Sequence, residues 1–445
     1  MNVESFLLYV KKNALSFYFV LLAFLGYAAK YALNIVLAHH LSSRLLGDFN
    51  IALRTLGLLT AFALMGTHTA SKRFVSHYLH HHRNDMLEDY IAWNFRFIRI
   101  SFTVCVVVAI TAYLVMHALH IWHIKDIRDY HLAIYMLWVA PLAALWTLLS
   151  SYLLCANYPI LSQIFQNTKN ILYIVLFFFL VLWLKIAVDR DSLFLLIGTS
   201  ILLLCIVELG VIIKKTPFLF TIIRRACLLK KPRRVHPDWM RVSFRLICSG
   251  LIFVVICAID LILVKLIVPA ENAAGLYAVA LTIASFVFVI PQNLFTLIKT
   301  KMSRLMMTKS GQKRLGRELR TLNRFSLATI LLFGGVIFLF SKALLLHFGG
   351  IYLEAESVLL ILVFGFMVGA YAHAATAVLA YGGYETLLLR VSIIELTVFM
   401  ILGIVLTYCF GIIGTALATT LTMVLKTVLF NSVVYRAAQI KAYQL

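Results

Sequence analysis

Apolar runs long enough to cross a lipid bilayer recur from one end of this chain to the other. A bilayer core of roughly 30 Å takes about 20 residues of helix. Lipid offers no hydrogen bonds, so such runs must satisfy their own backbone groups as helices. Twelve cores can be marked, at 16–38, 49–67, 97–119, 131–154, 164–184, 193–213, 242–266, 276–298, 325–346, 357–381, 390–410 and 412–434. Composition agrees, with 62% of residues hydrophobic, against about 45–50% in ordinary globular proteins. The predicted fold class is an all-α integral membrane protein with no soluble domain. The first run is long, follows Lys11 and Lys12 and lacks a small-residue cleavage pattern, so it reads as a span and not as a cleaved signal.

The net charge of +22 would suggest nucleic acid in a soluble protein. Here the placement of the charges explains it. With the N-terminus inside, most Lys and Arg fall in segments assigned to the cytoplasm, and the outer loops hold Arg44, Lys125, Arg128, Lys185, Arg190, Lys265 and Lys342. That asymmetry is the positive-inside pattern. It predicts both termini in the cytoplasm and no nucleic-acid partner. The richest stretches, 214–241 and 299–324, read as topology determinants lying on anionic lipid headgroups.

The stretch 214–241 divides the chain into an N-lobe, 1–213, and a C-lobe, 242–445, of six spans each. The halves echo each other. LAHHLSSRLLGDFNIALRTLGLL (37–59) aligns with KLIVPAENAAGLYAVALTIASFV (265–287) at a constant offset of 228 positions, placing Gly47 on Gly275, Phe49 on Tyr277 and Ala52 on Ala280. Two parallel repeats about an axis along the membrane normal are a transporter device, with substrate held between the halves.

Charges within the spans are expensive and mark function or pairing. Tyr27, Lys30 and Asn34 share one helix face, as do Asn50, Arg54, Gly57 and Ala61. Asp260 lies in the seventh span, two positions from the repeat equivalent of Lys30. Ser285, Gln292 and Thr296 share a face of the eighth span, and Gly369, His373 and Thr376 a face of the tenth. The substrate-binding set is therefore Lys30, Asn34, Arg54, Gln292 and His373 around a water-filled cavity, with Asp260 in coupling or gating. An Arg fork suits phosphate. The bland alternatives are snorkelling of Lys30 and Arg54, a static Asp260–Lys265 pair, and helix-packing contacts. Glu208, Glu395 and Lys426 lie nearer helix ends and are weaker cavity candidates.

The 7 cysteines have no CxxC spacing, so no disulfide or metal site is predicted. His77, His80, His81 and His82, and His117, His120 and His123, lack cysteine or carboxylate partners at ligand spacing and read as solvated or interfacial. No nucleotide-binding loop or nucleophile motif is present, so no catalytic residue and no cofactor is expected.

NIVLAHHLSSRLLGDFNIALRTLGLLTAFALMGTHTASKRFVS (34–76) resembles the amino-terminal signature of bacterial polysaccharide flippases. DLILVKLIVPAENAAGLYAVA (260–280) resembles the start of that family's second half, with an aspartate ahead of Gly275, Tyr277 and Ala280. FGIIGTALATTL (410–421) resembles its element of Gly411, Gly414, Ala416 and Ala418. The family belongs to the multidrug, oligosaccharidyl-lipid and polysaccharide exporter (MOP) superfamily. The resemblance implies a V-shaped bundle of two six-helix lobes around a central cavity, working by alternating access. It implies a bacterial inner-membrane flippase, not an enzyme, that moves an undecaprenyl-diphosphate-linked oligosaccharide to the periplasmic leaflet for O-antigen, lipopolysaccharide or related glycan synthesis. Implied partners are the lipid-linked oligosaccharide, membrane lipids, a coupling proton or Na+, and glycan polymerase or assembly proteins. Rival readings are a cation-coupled multidrug exporter or lipid II flippase of the same superfamily, a glycan polymerase or ligase, and a non-transporting membrane scaffold. An excess of buried carboxylate would favour the multidrug exporter, and a long catalytic outer loop the polymerase; neither is seen here.

Overall fold

The computed structural model describes residues 14–81, 83–121, 131–156, 158–183, 185, 188–228, 232–233, 235–292, 294–295 and 309–438. Among the described residues it is built of helices with no strand. The elements are α1 Ala14–His40, α2 Ser43–Leu64, α3 Thr67–His80, α4 Asn84–Ile121, α5 His131–Cys155, α6 Pro159–Phe178, α7 Arg190–Lys215, α8 Pro217–Leu228, α9 Pro237–Ile267, α10 Ala273–Ala284, α11 Lys309–Leu339, α12 Ser341–Leu346, α13 Glu356–Gly369, α14 Ala372–Tyr381 and α15 Glu385–Ala438. Among the described residues, 10 continuous helical stretches are long and apolar enough to cross a membrane, among them Ala273–Gln292 and Gly350–Gly369, which run beyond α10 and α13. The expected seventh span lies on the 31-residue α9. The last two share the 54-residue α15, which breaks at Gly411 with φ 60° and ψ −137°. The chain is a multi-pass, all-α membrane protein.

Contacts divide it into two compact units, Asp48–Ala258, and Met1–Gly47 with Ile259–Leu445. The first helix thus packs with the second half of the chain.

In the Asp48–Ala258 unit, α5 is central and packs on α3, α4, α6 and α7. Its small residues Ala140, Ala143 and Ala144 are buried and let neighbouring backbones approach, as membrane helices require. The start of α7 is fixed by a capping box, in which the Asp189 carboxylate accepts from Ser192 N at 2.8 Å and Asp189 N donates to Ser192 Oγ at 2.9 Å. The basic stretch expected as a linker holds α8. This helix buries Leu219, Ile222, Ile223 and Ala226 and packs on α4 and α7. It leaves Arg224 and Arg225 exposed. Trp239, fully buried, anchors the chain beyond it. Its Nε1 donates to Tyr78 Oη at 2.8 Å, and its ring meets Tyr90 edge-on at 5.2 Å.

In the other unit, α13 lies on α15 with backbone-close packing. A Cβ on Gly365 would come within 2.8 Å of Thr420 Cα, and one on Gly369 within 2.9 Å of Met423 Sδ. This is a Gly-x-x-x-Gly face. Thr420 and Thr427 donate across it to the Ile361 and Val368 carbonyls at 2.8 and 3.0 Å. Within α15, Thr407 meets Thr415 at 2.8 Å, and Tyr384, just ahead of the helix, donates from Oη to the Ala437 carbonyl at 3.2 Å. These pairs make α15 an antiparallel helical hairpin around Gly411, as the expected boundary at 410–412 requires. Gly414 permits the turn, because a Cβ there would run into the Leu406 carbonyl.

Candidate functional site

The stripe on α1 is a set of mutual contacts. Lys30 Nζ lies 5.4 Å from the Tyr27 ring centroid. Asn34, 2% exposed, donates from Nδ2 to the Lys30 carbonyl at 2.9 Å. On the same helix Phe24 and Tyr27 meet Phe286 edge-on at 5.4 and 6.4 Å. Phe286 belongs to the short 3-10 turn Ser285–Phe288 that continues α10. Phe288 in that turn meets the His373 ring edge-on at 5.2 Å, and Gln292 follows one turn later, exposed. The turn therefore touches Tyr27 of the α1 stripe through Phe286 and His373 through Phe288. His373 is partly buried on α14, just after the helix breaks at Ala370–Tyr371. Thr296, expected on the same face as Gln292, lies outside the described residues.

Asp260 belongs to this unit too. It is 4% exposed in the last third of α9, and its Oδ1 accepts from Leu261 N at 2.7 Å. Of the six expected site residues, Arg54 alone falls in the Asp48–Ala258 unit, half-buried on α2.

Beyond this set, the weaker candidates Glu208, Glu395 and Lys426 make polar contacts inside the fold, and Lys169 is a cation that hydropathy did not single out. Lys426 Nζ donates to Glu395 Oε1 at 3.0 Å across the α15 hairpin, with the two side chains 13% and 2% exposed. Glu208 is fully buried, and its Oε1 accepts from Ser150 Oγ at 2.8 Å. Lys169 lies inside the span Ile160–Trp183 with Nζ 6.0 Å from the Trp146 ring centroid. A sign change or a lone cation within an apolar run was the available signal. Which helix each faces is a tertiary fact.

The His77 and His81 rings lie tilted by 55° with centroids 4.4 Å apart, and His117 stacks on Tyr113 at 6.4 Å. The His80 and His120 side chains, and His82 and His123, lie outside what is described. Among the described residues, no three His, Cys, Asp or Glu side chains converge on a metal position. Burial pushes the His68 imidazole at the start of α3 down to about 4, and Lys72 one turn on adds to that.

No family model and no curated protein matches this chain. Solved structures do. A multidrug resistance MATE family transporter of the MOP superfamily, in its inward-facing conformation, superposes with a TM-score of 0.70 at 12% identity, covering 93% of this chain and 94% of that one. The lipid II flippase MurJ in an inward closed conformation gives 0.67 at 16% identity, covering 96% and 88%. A MATE transporter from Vibrio cholerae gives 0.65 at 13% identity, covering 96% and 97%. The chain shares its fold with these multidrug transporters and this lipid II flippase.

Proposed function

We propose that this protein is a flippase that carries an undecaprenyl-diphosphate-linked oligosaccharide from the cytoplasmic to the periplasmic leaflet by alternating access, for assembly of a cell-surface polysaccharide. The observation that carries this reading is the set of cations held inside spanning helices: Lys30, Arg54 and Lys169. A cation in a membrane span is expensive and is kept for a partner. Lys30, Arg54 and Lys169 suit a substrate whose charge is concentrated in a diphosphate, and the MurJ likeness supports a lipid-linked one. Lys30, Asn34, Gln292 and His373 contact the headgroup and its first sugars, Arg54 contacts phosphate, and Asp260 couples the cycle to a proton or Na+ gradient. The protein works in the bacterial inner membrane beside glycan-assembly proteins, with both termini in the cytoplasm.

The test is leaflet exchange of a fluorescent undecaprenyl-diphosphate-linked sugar in proteoliposomes, read by a membrane-impermeant quencher. Lys30→Ala and Arg54→Gln are expected to slow exchange about tenfold or more, the loss of one charge-assisted contact. Asp260→Asn removes the dependence on an imposed ion gradient. Unchanged exchange in all three overturns these assignments.

A second reading, a cation-coupled multidrug exporter, is favoured by the buried carboxyl groups Asp260 and Glu208 in or beside the spans and by the MATE likeness. It predicts efflux of cationic dyes and no exchange of the diphosphate lipid.

A further inference from the structure

Two side chains that carry hydrogen-bond donors, Trp146 and Lys169, pack together inside the Asp48–Ala258 unit, with no acceptor for either donor among the described residues. Trp146, on α5, is 9% exposed, and its indole Nε1 is buried without a hydrogen-bond partner among the described residues. Lys169, on α6, brings its Nζ to 6.0 Å from the centroid of that same indole ring. Among the described residues this ammonium contacts the indole ring, and no carboxylate lies within ion-pair distance of it. A buried N–H left unsatisfied costs about 1–3 kcal/mol, and an uncompensated cation in a span costs more. Two independent penalties at one place have a common remedy, an oxygen acceptor carrying negative charge.

The level in the membrane fits. Phe49 on α2 and Tyr173 on α6 meet edge-on with centroids 6.3 Å apart. The two helices are the second and fifth spans and so run in opposite senses. Arg54 lies five residues beyond Phe49, and Lys169 four residues before Tyr173. At 1.5 Å per residue the two cations sit within about 2 Å of the same depth.

Lining up with Arg54 distinguishes this place from a lysine snorkelling to the surface. Lys169 is about ten residues, or 15 Å, into α6 from its start at Pro159. That is beyond the reach of its side chain back to the headgroups.

We propose that Trp146 Nε1–H and Lys169 Nζ form an oxyanion subsite that receives a phosphoryl group at the depth of Arg54. The subsite rests on the flippase reading, because an undecaprenyl diphosphate headgroup is the phosphoryl source it names. The indole N–H donates one neutral bond and the ammonium one charge-assisted bond, which together orient a phosphoryl oxygen and not merely attract it.

The test is binding by the full-length protein in nanodiscs, titrated with undecaprenyl diphosphate, with the neutral alcohol undecaprenol, and with inorganic pyrophosphate. Lys169→Gln and Trp146→Phe are each expected to weaken undecaprenyl diphosphate binding about tenfold, with undecaprenol unaffected. Trp146→Phe keeps a ring against Lys169 and removes only the donor, and Lys169→Arg restores binding to within about threefold of wild type. Wild-type affinity for undecaprenyl diphosphate in both Lys169→Gln and Trp146→Phe overturns the subsite and leaves the flippase reading standing. Lys169-dependent binding of pyrophosphate without binding of the lipid keeps the subsite and overturns its lipid source. Binding of neither by the wild type overturns both.

Discussion

Gly47 and Gly275 pack backbone against backbone. A Cβ on Gly47 would stand 2.8 Å from Gly275 N, and one on Gly275 would run into the Ser43 carbonyl. These glycines are 228 positions apart, the offset that aligns the two halves of the sequence. The neighbouring contacts exchange mates in the same way. Arg44 pairs with Glu271 at 2.9 Å, and Ser43 Oγ donates to the Asn272 carbonyl at 3.3 Å. Ser43 and Glu271 are equivalent by the offset, as are Arg44 and Asn272. Each residue thus touches the equivalent of its neighbour, which is the pattern of a self-complementary contact about a local twofold.

Filling that contact is expected to be costly. Gly275→Val should destabilise the protein by about 1–3 kcal/mol through overpacking against a backbone that cannot retreat. Gly57→Val, on the same α2 but with open space at its Cβ, serves as the control. Thermal unfolding in detergent reads the difference, and equal midpoints for the two variants would count against the crossing.

The Glu395–Lys426 pair should behave as a unit. Glu395→Gln or Lys426→Met alone leaves a buried charge or dipole without its mate and should cost about 3 kcal/mol or more. The double variant should recover most of that loss. A thermal-stability cycle measures the coupling, and additive losses would show that the pair contributes nothing as a pair.

Gly411 sets the turn of the α15 hairpin. Its φ of 60° with ψ of −137° is open to glycine and strained for any other residue. Gly411→Ala should cost about 1–3 kcal/mol, and Gly414→Ala should be worse because its Cβ meets the Leu406 carbonyl. Gly210→Ala, with nothing near its Cβ, should be neutral. Folded yield and unfolding temperature of the three variants decide it.

Trp239 holds the basic segment against α3 and α4. Removing its ring should cost about 3–5 kcal/mol locally and free the chain around Arg233, whose N donates to Asp89 Oδ1 at 2.8 Å. Limited trypsin digestion should then cut Trp239→Ala near Arg233 well before wild type. An unchanged cleavage rate would mean that the segment is held by other contacts.

Much of the helical architecture was legible because lipid leaves one way to satisfy a backbone, so length and hydropathy translate into spans. The boundary at 410–412 was legible from the apolar runs on either side of it, and the Gly47–Gly275 equivalence as a repeat. What periodicity could not supply was partnership. Nothing in α1 says that it packs with residues 259–445. Nothing in 217–228 distinguishes a basic linker from a helix docked through Leu219, Ile222 and Ile223, except an amphipathic spacing easily read as an interface segment. Glu395 and Lys426 are 31 residues apart and meet only because the hairpin turns at Gly411. Among the expected site residues, the Tyr27–Lys30–Asn34 stripe follows from helical spacing. The link from Phe288 to His373 needed the fold, since it joins residues 85 positions apart across α10 and α14.

The most direct test of the flippase account sets two substrates against each other in the same proteoliposomes. A fluorescent undecaprenyl-diphosphate-linked sugar and a cationic dye are each followed across the membrane, with the other added as competitor. The account predicts protein-dependent movement of the diphosphate lipid, slowed by excess unlabelled lipid and indifferent to the dye. Protein-dependent movement of the dye with no exchange of the lipid would contradict it.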